Sequence, residues 1–176
     1  MFTYYVNTID RLNMHRNTDR EFVGIPALTQ QHHDQVAAFR RWAGRGDWSK
    51  FHREHYDWWA FPISKPSKYG SKYVVYSGDV AELNANPQFV HDYVDGVQLV
   101  AAAWGWDVQA GAYIANPAPG QMWAQWPIRL SKMLRSTAYF GQPELAASLR
   151  HYGQLLLAQN RNAMMYNGKD LRHEFE

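Results

Sequence analysis

Cysteine is absent from this chain, which excludes disulfides, thiolate metal sites and a cysteine nucleophile. No apolar run approaches the roughly 18 residues that a membrane span needs, and residues 1–10 lack a signal-peptide pattern. Neither Gly-x-Ser-x-Gly nor Gly-x-x-x-x-Gly-Lys occurs, so no nucleophile elbow or phosphate loop is written in. Gly44-Arg45-Gly46 is too short to serve as one. Internal repeats and low-complexity tracts are also missing. These absences lead to an expectation of a soluble, cytoplasmic or otherwise intracellular protein without a membrane partner and without a cofactor.

Aromatic residues are plentiful. The chain has 176 residues, eight of them Trp and eleven Tyr. That length suits one domain over 1–176, burying roughly two thirds of its unfolded surface. Indole and phenol groups bring polar tips that need partners, and grooves are one place to find them.

The net charge of +2 hides a segregated pattern. Residues 40–72 carry eight Lys/Arg against Asp47, Glu54 and Asp57, a balance of +5. From Tyr73 to Pro127 there is no Lys or Arg, and Asp79, Glu82, Asp92, Asp95 and Asp107 give −5. Residues 128–176 return to +3. Such blocks attract one another inside a fold, or else join two copies through charge-complementary faces as a homo-oligomer.

Helical punctuation runs through the sequence. Residues 1–27 are mixed, with Phe2 to Val6 able to run extended and Gly24-Ile25-Pro26 a break. Thr29 predicts a helix over Gln30–Ala43, stopped by Gly44 and Gly46. Asp47 caps a second, in which Trp48, Phe51, His55 and Trp58/Trp59 recur at helical spacing until Pro62. Residues 64–76 form a loop. Ser77 opens a short helix through Leu83, and Asn86-Pro87 begins a long one ending at Trp104-Gly105. Residues 107–120 form a second loop. Pro127 and Gly141 bound a basic amphipathic helix, Gln142-Pro143 starts the last, and residues 160–176 are a polar tail. The fold class is therefore all-α: a single compact domain of about six helices with long aromatic-rich loops.

The segment Arg129 to Gly141, with Arg135-Ser136 at its centre, is similar to the best motif of the opioid growth factor receptor family. His55, Trp59-Ala60-Phe61-Pro62, Ser67, Asp79 and Trp104-Gly105 resemble its other landmarks, and the likeness spans about 47–158. Gln125-Trp126 stands where that family has Asn-His. The resemblance implies an all-helical fold. Peptide binding is attributed to the vertebrate receptor, while the helical region itself implies no particular chemistry.

Several constellations bear on function. His52, His55 and Asp57 are the candidate metal ligands, with His91 and Asp95 as their completion and His32-His33-Asp34 as a further set. They would also serve a small His/Asp-dependent enzyme. Asp92 and Asp95 are spaced to share a helix face, solvated unless buried. Arg40-Arg41-Trp42 and residues 65–73 interleave cations with aromatics, as nucleic-acid binding through the 40–72 block would need; a helix–turn–helix over 29–60 offers few base-reading side chains. The favoured reading is a binding or interaction module for an anionic or peptide-like ligand. Its expected groove joins the 58–69 segment to the helix from Trp126. Trp58, Trp59, Tyr69, Trp123 and Trp126 supply area there; Lys68, Arg129 and Arg135, with Lys132 nearby, supply donors.

Overall fold

Pro26, Pro87, Pro127 and Pro143 each lie in the first turn of a long helix, where a missing N–H leaves nothing unpaired. A computed structural model describes residues 14–176. In chain order the helices are α1 (Ile25–Gly44), α2 (Trp48–Arg53), α3 (Asp57–Ala60), α4 (Ser77–Asn84), α5 (Pro87–Ala103), α6 (Pro127–Tyr139) and α7 (Pro143–Gln159). Two minute antiparallel hairpins complete the framework: β1 (Trp106–Asp107) with β2 (Ala112–Tyr113), and β3 (Met165–Tyr166) with β4 (Lys169–Asp170). The protein is thus mostly helical, around one hydrophobic core.

Helix α1 packs along α5, and α6 along α7. The amide oxygen of Asn86 caps α5, accepting from Gln88 N at 3.0 Å and Phe89 N at 3.3 Å. Asp79 is buried in the first turn of α4 and accepts from the backbone of Asn17 and Tyr76, each at 2.9 Å. Tyr152 of α7 stacks on Trp106 at 4.9 Å, and its hydroxyl donates to the Trp104 carbonyl at 3.1 Å. No helix among the described residues is long and apolar enough to cross a membrane.

Four local expectations change. Helix α1 begins at Ile25, five residues before Gln30, because Gly24 at φ +86° makes the entry turn and Pro26 fits the first turn. The helix predicted from Asp47 to Pro62 is split: Glu54 is extended at φ −78°, ψ 153°, and separates α2 from α3. Loop 107–120 contains the β1–β2 hairpin. The polar tail folds back through β3–β4 and a 3-10 turn at Arg172–Glu174, burying Phe175 completely. Gly153 makes room for that ring; a Cβ there would lie 2.1 Å from Phe175 Cδ1. The expected extended stretch Phe2–Val6 lies outside the described residues.

Charge segregation resolves in part within the chain. Arg40 of the basic block donates to Asp92 at 2.8 Å and to Asp95 at 2.6 Å. Asp92 is buried rather than lying on a solvated face. Burial pushes its carboxyl upward, but hydrogen bonds from His33, Arg40 and Gln88 outweigh this and hold it below the usual carboxylate range.

Candidate functional site

Helix α6 builds the site because it binds the preceding segment at two levels. Near its start, Arg129 has no exposed surface. Its Nε donates to Asp57 Oδ1 at 2.5 Å, Nη1 to the Phe51 carbonyl at 2.6 Å and the Tyr56 hydroxyl at 3.0 Å, and Nη2 to the Glu54 carbonyl at 2.9 Å. The guanidinium also lies 4.2 Å from the Tyr56 ring centre. Two helical turns on, the buried Ser136 hydroxyl donates to the Pro62 carbonyl at 2.8 Å and accepts from Tyr93 at 2.8 Å. A continuous helix would direct the Phe51 and Glu54 carbonyls along its own axis. Arg129 takes both instead, which accounts for the break at Glu54.

That break turns Trp58 toward α6 and leaves a groove of about 500 Å³ between them. Trp58 and Trp126 are its aromatic walls, with Tyr166 of β3 beside them. Five cationic side chains line it: Lys65, Lys68, Lys132, Arg135 and Lys169. The lining contains one carboxylate, Asp57, which Arg129 already holds. Lys68 Nζ lies 4.5 Å from the centre of the Trp58 ring and Lys132 Nζ lies 5.5 Å from it, so two ammonium groups share one indole. Arg135 is 4.0 Å from Glu174. Among the described residues, Lys65, Lys68, Lys132 and Lys169 have no carboxylate within 4.0 Å. Burial pulls the Lys132 ammonium down to about 8; Asp57 opposes the fall and Arg135 adds to it.

Of the residues expected in the groove, Trp58, Lys68, Trp126 and Arg135 line it. Tyr69 stands at its edge, packed edge-on against Trp58 at 4.7 Å and 40% exposed. Three others lie elsewhere. Trp59 points to α1, its Nε1 donating to Gln35 at 3.0 Å, and packs on Tyr73. Trp123 rests edge-on against Trp104 at 5.2 Å and borders a separate hollow of about 230 Å³. Arg129 faces inward, so the ligand contact expected of it is replaced by a bracing role. Lys65, within the expected 58–69 segment but not singled out, also lines the groove, and Tyr166 and Lys169 enter it unforeseen, carried in by the folded tail. Ser67, the family-like loop residue, also lines it, bridging backbone to backbone with Gly70.

The proposed metal set does not converge. His52 Nε2 meets the Gly120 carbonyl at 2.7 Å, His55 packs edge-on against Trp126 at 5.8 Å, and Asp57 faces Arg129. His91 and Asp95 lie on α5 near Arg40, and His32 and His33 separate, one buried beside Phe89 and the other bonded to Asp92 at 2.7 Å. Among the described residues no group of three His, Asp or Glu side chains is placed to hold a metal. The basic pair Arg40-Arg41 is not part of the groove lining, so the 40–72 block does not act as one surface there.

No family model, no curated protein and no solved structure matches this chain.

Proposed function

We propose that this protein is a binding module whose groove between Trp58 and α6 takes a small ligand with an anionic end. The carrying observation is the groove's charge: five cations against a single carboxylate that is already paired. A volume of about 500 Å³ falls in the range of small-molecule sites. Trp58 and Trp126 supply apolar contact area, and Lys68 and Lys132 flank Trp58 where an anionic group would replace water around them. The likeness of residues 129–141 to the opioid growth factor receptor motif supports the module reading and makes an acidic peptide the rival occupant.

Titration with inorganic phosphate, followed by Trp fluorescence, tests this. Saturable quenching is expected, and Lys68→Ala should weaken it at least tenfold, about 1.4 kcal/mol. Binding of an acidic peptide with no response to phosphate would favour the rival. A response to neither would remove the anionic reading.

A further inference from the structure

We propose that the Lys132 amine is a nucleophile that captures a small aldehyde bearing an anionic group, holding it as an imine. This rests on the anionic reading of the groove and adds a covalent step to it. Lys132 is half-buried on α6 and borders two spaces at once. One is the groove; the other is a narrow recess behind it, shared with Trp58, Ile63 and Tyr73. Its Nζ has no carboxylate partner among the described residues, because Asp57, the acid lining the groove, is taken by Arg129 at 2.5 Å. A lysine engaged in a tight ion pair would be masked; this one is not.

The charges around Lys132 favour the same chemistry. Arg135 shares its helix; Asp57, Lys65 and Lys68 face it from the segment before Tyr69; Lys169 enters from the β3–β4 hairpin, and His55 lines the same wall. Glu174 stands behind, engaged by Arg135 and by the Ser131 hydroxyl. Burial is the main reason the ammonium falls to about 8. At pH 7 about a tenth of a group with that value is neutral amine, far more than for an ordinary lysine. The remaining cations would orient the carboxylate or phosphate of the incoming molecule.

The step balances without a further reactant. The Nζ lone pair forms a C–N bond to the carbonyl carbon as the C=O π pair moves to oxygen. One proton from nitrogen passes to that oxygen, giving a carbinolamine, and the second N–H proton joins the hydroxyl as it departs. The C–O bond then breaks and water leaves, so amine plus aldehyde yields imine plus water with no change in oxidation state.

Glyoxylate with cyanoborohydride, applied to the whole chain and mapped by mass spectrometry, tests this, since hydride converts the imine into a stable carboxymethyl amine. Lys132 is expected to be modified at least tenfold faster than each of the other five lysines at pH 7. Accessibility alone gives the reverse order, because Lys65, Lys68, Lys72 and Lys169 are exposed. Inorganic phosphate should slow the reaction at Lys132, and propanal should show a smaller preference for it. Lys132→Arg should abolish the adduct at that position and leave the other five lysines labelling at their unmutated rates. Labelling that follows exposure, with phosphate quenching intact, would overturn the nucleophile and leave the binding groove standing. Equal preference for propanal and glyoxylate, with no effect of phosphate, would overturn the anionic substrate class.

Discussion

Arg129→Ala removes a fully buried guanidinium and leaves its partners behind. Asp57 is the largest loss: a nearly buried carboxylate without its counter-charge typically costs about 3–5 kcal/mol. The two carbonyls fare differently. Phe51 keeps a donor, because the Tyr56 hydroxyl reaches it at 2.7 Å, whereas Glu54 loses the Arg129 Nη2–H at 2.9 Å. The charge therefore dominates the carbonyls, and the expected total stays at about 3–5 kcal/mol, a large share of ordinary domain stability. Arg135 offers the control. Its nearest carboxylate, the partly buried Glu174, is 4.0 Å away at the outer limit of an ion pair, so Arg135→Ala should cost about 1 kcal/mol, well below Arg129→Ala. Urea denaturation of both variants, with circular dichroism as readout, measures the contrast. Adding Asp57→Asn to Arg129→Ala should recover about 1–3 kcal/mol by removing the stranded charge. Equal small shifts for Arg129→Ala and Arg135→Ala, or no recovery in the double variant, would refute this account of how α6 holds the groove wall.

Two further outcomes follow from packing. His32 is 1% exposed, its Nδ1 has no partner among the described residues, and burial lowers its folded-state pKa to about 4. A depressed histidine favours the neutral native form, so its stabilisation is complete above about pH 6.5 and fades as pH falls toward 4, by up to about 3 kcal/mol. His32→Leu should flatten the denaturation midpoint across that window; an unchanged pH slope would show that His32 does not titrate there. Gly153→Ala should cost about 1–3 kcal/mol, because the new methyl meets Phe175 at 2.1 Å. An unshifted melting temperature would mean that the Phe175 ring moves aside.

Helix positions were legible because punctuation is local. Pro87 after Asn86, Pro127 with Gly141, and Pro143 each act within a few residues, and the structure places helix ends there. The break at Glu54 was not legible, since its cause sits 75 residues away in Arg129. Arg129, largely off the α6 apolar stripe, reads from the sequence as a donor to a groove ligand rather than as a buried brace. Its i, i+7 relation to Ser136 was the available clue, as two successive levels of one helix face. The tail misled through composition: Met164, Leu171 and Phe175 are buried, but the intervening polar residues hide that pattern. A polar tail with no legible packing partner gives no reason to place Tyr166 and Lys169 in the groove. Trp58 and Trp59 illustrate a further limit. Adjacent residues on a helix diverge by about 100°, so one enters the groove and its neighbour turns to α1.

The bonds from Arg129 and Ser136 span 72 to 78 residues. Contacts so distant in sequence form only when α6 has docked, after most of the loop-closure entropy has been lost. The Trp58 wall therefore has no independent existence in a partly folded chain. Under the proposed binding role, recognition and cooperative folding would be linked: an occupant of the groove would select the docked state and stabilise the whole fold by RT ln(1 + [L]/Kd). The same linkage should appear as amide protection, with the backbone of residues 51–62 exchanging in step with α6 and slowing together when the groove is filled.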